Sequence, residues 1–587
     1  MTPPAAFTLD ALAAFYTAGG SAVAVAQEAL ARIEAYADPA LFIAQVPREA
    51  LLARATALPQ GPLHGVPFVV KDNIDAAGLP TTSGCPDYRY MPAEDAPAVA
   101  RLLAAGALLL GKVNLDQFAA GLNGTRSPYG TPRNALRADL IPGGSSSGSA
   151  TAVAAGIAAF SLGTDTAGSG RIPAAAQNLV GLKPSVGLIP TRGTVPACRS
   201  LDCISIFARS VAEASAVLTV AAGADAADPY SRPAPAGWRA MEAAPPALRL
   251  AVPEAAQLIF DTPDDAALFA GAIARAEAMG ATVTHVDIAP FLSVARRLYD
   301  GAWVAERTSA VREMVVDKPG SLHPVTRGIL ESGLDRKTVD AFDDFHAVAE
   351  ARLLARKLFA GCDVLLLPTC PGVPTVATLL AEPVAANSRL GTYTNFVNLC
   401  DLAALAIPSG FRADGVPAGV TLVGPAFSEG RLAGIGATMH AAAGLGAPPA
   451  PPPAALAADE IALFCIGAHM SGLPLNGQVR GHGGRFLCGA SSAPNYRLFD
   501  LGNRPGMIRA AEGGASILGE VWAVPAANIG PFLAEIPLPL GFGRVTLSTG
   551  DTVLGFIAES EGVAGAPEIT ARGGWRAHLA GKALPRG

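Results

Sequence analysis

The sequence predicts an α/β body with a central mixed β-sheet flanked by helices, followed by a small strand-rich α+β domain. Three observations carry this expectation. Strand and helix signals alternate from Val66 to Ala443, the pattern of layered α/β folds. Residues 142–173, PGGSSSGSATAVAAGIAAFSLGTDTAGSGRIP, hold seven glycines and six serines around an apolar Ala/Val/Ile middle, a composition for tight turns around packed elements and not for a linker. Residues 446–460, GAPPAPPPAALAADE, place five prolines between Ala447 and Ala454, a stiff extended spacer. The expected organisation is a body over 1–445, a Pro/Ala linker over 446–459 and a second domain over 460–587.

Composition narrows the function. The chain has 587 residues, half of them hydrophobic and 16% charged, with a net charge of −6, so there is ample apolar surface to bury. No basic run points to nucleic acid, and no apolar run approaches the ~18 residues a bilayer span needs. The start, MTPPAAFTLD, lacks the basic-then-apolar order of a secretory signal. Eight cysteines without a CxxC pair and eight dispersed histidines suggest a reducing, cytoplasmic setting and no metal site; no organic cofactor is implied either.

Taken in order, residues 7–58 read as helical, with Ser21 as a cap and Glu28 and Arg32 paired at i and i+4. The apolar strand Val66–Val70 ends in Lys71. Taken alone, Lys71 is a strand-end lysine facing solvent; if it is buried, desolvation lowers its pKa from ~10.4 and makes it a base. A helix at 96–105 and a strand at 107–111 precede the Asn/Gly/Ser-rich loop NGTRSPYGTPRN. Within the Gly/Ser stretch a helix at 148–155, stopped by Gly156, and a strand at 157–162 return the chain so that Ser145 and Ser169 meet. Residues 232–247 read as an exposed excursion, and 291–316 as one long helix interrupted only at Gly301. On it Tyr299 and Arg307 stand about 80° apart, so both reach one pocket. A strand at 363–371 and a helix at 430–443 complete the body, and short strands at 461–466, 485–489, 496–500, 517–524 and 543–547 build the second domain.

Two readings compete for the nucleophile. Gly144–Gly148 fits GxSxG centred on Ser146, a nucleophile elbow, which needs a strand immediately before it and a histidine base later. The preceding NALRADLIPGG is a poor strand end, and His285, His323, His346 and His440 have no acid placed to make a triad. The second reading takes Ser169. The segments GVPFVVKDN, GGSSSGSA and GTDTAGSGR, with spacings of 74 from Lys71 to Ser145 and 24 from Ser145 to Ser169, resemble the amidase signature family of serine hydrolases.

That resemblance implies a Ser/cis-Ser/Lys triad: Ser169 attacks an amide carbonyl, Ser145, entered through a cis peptide bond, relays the proton, and Lys71 is the base. The chemistry is coherent, since a serine hydroxyl needs an adjacent base and a lysine serves only when its pKa falls toward ~7 to 8. The N–H groups of Thr166, Ala167, Gly168 and Ser169 are the implied oxyanion hole, among small residues. Ala167 and Ser147 stand where the family often has glycine.

Within that family the layout, with NLDQFAAGLNGTRSPYG, YDGAWVAER and IGAHMSGLPLN, resembles the allophanate hydrolases. The resemblance implies the small anion allophanate as substrate, its carboxylate held by Arg307 and Tyr299 with a backbone contact from Gly124. It also implies a homodimer and a γ-glutamylcyclotransferase-like second domain. There His469, with Asn476 assisting, would promote decarboxylation of the first product, N-carboxycarbamate, in urea degradation. Alternatives are a hydrolase of another small amide (biuret, malonamate or an aryl acetamide) whose second domain only braces the fold, or a catalytically silent binding protein.

Overall fold

A computed structural model describes residues 1–446 and 455–583, so most of the Pro/Ala spacer lies outside the described residues. Eighteen strands are labelled in chain order. The body contains β1 (Phe42–Gln45), β2 (Pro67–Lys71), β3 (Leu108–Val113), β4 (Phe160–Asp165), β5 (Val180–Lys183), β6 (Cys203–Ala208), β7 (Leu248–Pro253), β8 (Ala281–Val286), β9 (Val364–Pro368), β10 (Leu402–Phe411) and β11 (Pro417–Pro425). They form one sheet in the order β1-β3-β2-β4-β6-β5-β10-β11-β9-β7-β8. It is mixed, as expected: β2 runs parallel to β3 and β4, and β7 to β8 and β9, while the central pairs are antiparallel. Central strands such as β2, β3, β4 and β6 are buried along their whole length, because helices cover both faces.

The strand pattern decides where the site falls. β2 and β4 are parallel neighbours, Phe68 opposite Phe160 and Val70 opposite Leu162, so their C-terminal ends lie side by side. The two phenylalanines stack with centroids 5.1 Å apart. Lys71 ends β2, and the loop carrying Ser169 leaves β4 immediately after Asp165. Ligand sites of α/β sheets favour this strand-end position. Between them the helix Ser147–Ala154 and the turn at Gly156 (φ +74°) bring the chain back as anticipated. The strand starts three residues later than the sequence suggests, because Ile157 N and Ala158 N still donate to Ala152 O of the preceding helix.

Other expectations shift in instructive ways. Ser21 caps the helix Ala22–Tyr36 and Arg32 pairs with Glu28, but the short edge strand β1 interrupts the helical reading of 7–58. Residues 291–316 form three helices, Ala289–Asp300, Trp303–Ala310 and Arg312–Asp317. The break at Gly301 is forced by the Asp344 carboxylate, which accepts from Ala302 N and would stand 2.3 Å from a Cβ at Gly301. Residues 232–247 are irregular but mostly half-buried: a Cβ on Gly237 would stand 2.8 Å from Pro525 Cγ, Arg239 reaches Glu460, and Ala243 packs on the second core.

The C-terminal part contains β12 (Glu460–Cys465), β13 (Arg485–Ser491), β14 (Tyr496–Asp500), β15 (Pro505–Arg509), β16 (Leu518–Pro525), β17 (Leu540–Thr546) and β18 (Thr552–Ala558). Five make a sheet in the order β13-β16-β12-β18-β17, and β14 and β15 make a hairpin. No described helix is long and apolar enough to cross a membrane.

Replacing Phe68 by alanine removes one ring of the stack beneath the site, so Phe68→Ala is expected to cost about 3–5 kcal/mol. A fall of the urea midpoint for the body measures it, and an unchanged midpoint contradicts this packing.

Candidate active site

Lys71, Ser145 and Ser169 come together in a buried chain. Lys71 Nζ stands 2.8 Å from Ser145 Oγ and 2.6 Å from Thr164 Oγ1, and Ser145 Oγ stands 2.9 Å from Ser169 Oγ. Lys71 has no exposed surface, so the solvent-facing reading is excluded. Its pKa is lowered to about 7, chiefly by burial, helped by the Arg307 charge and opposed by Asp116, Asp202 and Asp165. The Gly144–Ser145 peptide is cis. Ser146 is spent elsewhere: its hydroxyl donates to Thr164 O at 3.1 Å and accepts from Thr164 N at 3.3 Å, and no strand precedes it.

The four residues proposed to cradle an oxyanion form the bend after β4. The N–H groups of Thr166, Ala167, Gly168 and Ser169 have no hydrogen-bond partner among the described residues, which leaves a set of unengaged donors beside Ser169 Oγ. Gly168 sits at φ +139°, and a Cβ there would stand 2.3 Å from Thr394 Oγ1, so both conformation and space require glycine.

Three aspartates that carried no role in the sequence motifs hold this geometry. Asp165 and Arg171, both fully buried, pair at 2.9 Å; Asp165 also accepts from Gly170 N, and Arg171 reaches Thr394 O and Asn398. Burial is the largest single influence and works to raise the Asp165 pKa, but Arg171, Lys183 and the Gly170 N–H together outweigh it and the carboxyl stays below its ordinary range. Asp202 accepts from Thr166 Oγ1 at 2.5 Å and from Ala197 N and Cys198 N, and burial raises its pKa to about 6. Asp116 accepts from the backbone N–H groups of Asn123, Gly124 and Arg126. For Asp116 and Asp165 a signal was available: charged residues inside LDQFAAG and GTDTAGSGR, segments rich in apolar and small residues, are tolerable only if hydrogen-bonded.

Arg307 and Tyr299 also meet, though across the Gly301 break and not along one helix: the guanidinium carbon lies 4.9 Å from the tyrosine ring centroid. Arg307 is 2% exposed, yet among the described residues its one hydrogen bond is a long 3.5 Å contact to Ala119 O, and Nε and Nη2 find no partner there; nor does Tyr299 Oη. The loop that carries Ala119 also carries Gly121, whose carbonyl lies 3.5 Å from Ser169 Oγ, so guanidinium and serine face one loop. Gly124, at φ +85°, packs against Gly143 and Gly144, and its N–H goes to Asp116.

In the C-terminal part His469 is buried, stacks on Phe556 at 4.6 Å and lies with Nε2 2.9 Å from Gln478 Oε1. Burial lowers its pKa, and the Gln478 bond opposes that. Asn476 does not line the His469 cavity; its amide donates to His469 O at 2.7 Å and so fixes the histidine backbone.

The sheet-end position and the run of lysine, serine and serine define a serine-hydrolase site on an α/β sheet. A family model described as Amidase matches residues 24–433, and the chain belongs to the amidase family. A second model, described as the allophanate hydrolase C-terminal domain, matches residues 461–580. The solved structure of Kluyveromyces lactis allophanate hydrolase is similar over 98% of this chain and 99% of that one, at 38% identity and a TM-score of 0.76. The urea amidolyase of Lachancea kluyveri is 41% identical over 89% of this chain, but the chain spans only 30% of that protein's length. The urea amidolyase of Saccharomyces cerevisiae is likewise 41% identical, over 88% of this chain and 30% of its own length.

Between about 7 and ~10.4 an unfolded chain holds a proton on Lys71 that the folded chain has released, so folding stability rises with pH across that window. NMR of labelled lysine is expected to show one ammonium titrating near 7 that is absent from Lys71→Met; a full set titrating near 10 contradicts this site.

Proposed function

We propose that this chain is an amidohydrolase that cleaves the terminal amide of allophanate. Ser169 Oγ attacks the carbonyl as Ser145 accepts its proton and passes its own to neutral Lys71. The developing oxyanion settles against the free N–H groups of 166–169, where loss of one donor typically costs ~2.7 to 4 kcal/mol of barrier. The proton returns to the leaving nitrogen, ammonia departs, and water releases the acyl group by the same relay in reverse.

The observation that carries the substrate assignment is the buried Arg307 guanidinium, two of whose nitrogens have no partner among the described residues. Such a group calls for an anion, and a carboxylate completes it in bidentate fashion, with Tyr299 Oη donating to the same ligand. Allophanate offers that carboxylate at one end and a scissile amide at the other. The similarity to K. lactis allophanate hydrolase along the whole chain supports the same choice. The product, N-carboxycarbamate, is then decarboxylated in the C-terminal part, where His469 is the proposed acid. We place the division at 1–445 and 460–587 with a spacer over 446–459, in keeping with the two family matches.

Ammonia release tests the assignment. Ser169→Ala is expected to abolish it. Measured at pH 9, where Lys71 is neutral with or without the Arg307 charge, Arg307→Gln is expected to lower kcat/KM for allophanate about 10- to 100-fold, the worth of a charge-assisted pair, while leaving slow turnover of biuret, which has no carboxylate, within about twofold. Equal losses on both substrates would remove Arg307 from substrate recognition.

A further inference from the structure

The cavity beside His469 has both charged and apolar walls. A cavity of about 260 Å³ is lined by His469 together with Arg504, Ile536, Leu540 and Phe556. Arg504 enters it because the loop before His469 comes close: a Cβ on Gly467 would stand 2.6 Å from Pro505 Cδ. Its Nε is buried without a partner, its Nη2 makes a long 3.4 Å bond to Leu538 O, and it forms no ion pair among the described residues. The one carboxylate lining the cavity, Glu535, is taken by His482 at 2.9 Å. Arg504 thus brings a cation to the lining of a cavity whose other walls, apart from His469, Gln478 and Glu535, are aliphatic or aromatic.

Resting on the decarboxylation reading above, we propose that Arg504 binds one carboxylate of a small dicarboxylate while the apolar wall of Ile536, Leu540 and Phe556 faces the carboxylate that is lost. The two ends have opposite requirements. The retained carboxylate keeps its charge throughout and gains from a fixed cation. The departing one changes from an anion to neutral CO₂, so a surface that solvates charge poorly disfavours the start of the reaction and not its end. In the step itself the C–N bond breaks and its electron pair stays on nitrogen. The nitrogen takes one proton from the His469 imidazolium, CO₂ leaves, and carbamate remains on Arg504. Burial keeps His469 below its ordinary pKa in the empty pocket, and an arriving dianion favours the imidazolium.

Turnover of ¹³C-labelled allophanate by the full chain, followed by NMR alongside ammonia release, tests this. In Arg504→Gln the first ammonia is expected at the wild-type rate, while the dicarboxylate signal accumulates and the second ammonia, set free when the released carbamate breaks down to ammonia and CO₂, lags at least tenfold; Arg504→Lys should recover part of the loss. Malonate, a stable dicarboxylate probe, should shift the His469 imidazole resonance in the wild type and not in Arg504→Gln. If Arg504→Gln completes the second step at the wild-type rate while His469→Ala does not, Arg504 is not the carboxylate ligand. If both variants complete it normally, the pocket takes no part in decarboxylation and the underlying reading falls with the inference.

Discussion

A lysine amine with no access to water, held against a serine hydroxyl, is the constraint on which the rest of this site depends. Lys71 can serve as a base only while burial outweighs the three aspartates that pull its pKa upward. Those carboxylates are occupied otherwise. Asp165 clamps the loop of Ser169 through Arg171, Asp202 holds Thr166, and Asp116 gathers the N–H groups of the loop around Gly124. Each therefore shapes the backbone around the reacting groups while contributing a field that stops Lys71 from falling far below neutrality. The balance at about 7 is a property of the ensemble of buried charges and not of the lysine alone.

The sheet makes that ensemble possible. Two parallel neighbours end together, one in Lys71 and one in the bend before Ser169. The helix between them is short and rich in small residues, which lets its first turn press onto the strand: a Cβ on Gly163 would lie 2.7 Å from Ser146 Oγ, and one on Gly144 would lie 2.1 Å from Asp116 Oδ2. The glycines of this stretch are thus places where backbone approaches side chain, in a region with almost no exposed surface.

That Lys71, Ser145 and Ser169 would come together was legible in the sequence, because they sit in local motifs whose spacing carries the signal. So was the mixed sheet, since buried strands such as FVV and LLL announce themselves. What was not legible depended on contacts between distant segments. The break at Gly301 comes from Asp344, 43 positions away, and no local pattern encodes it. Residues 232–247 lacked periodicity and so read as exposed, whereas they fill the contact between the body and the C-terminal part. β15 and β18 were missed where glycine, proline and arginine interrupt the alternation. Asn476 was expected at a ligand and lies one step behind, on the backbone of His469, a distinction that residue type alone does not make. Arg504 carried no sequence signal, since its meaning comes from the cavity it enters.

The central claim is that Ser169, activated through Ser145 by an uncharged Lys71, is the group that attacks. Exposure of the full chain to a fluorophosphonate across a pH series, followed by peptide mass spectrometry, tests it most directly. The account predicts a single adduct on Ser169 whose rate of formation climbs as pH passes about 7 and levels off above it. An adduct on Ser146, or labelling of Ser169 at a rate indifferent to pH between 6 and 9, would contradict it.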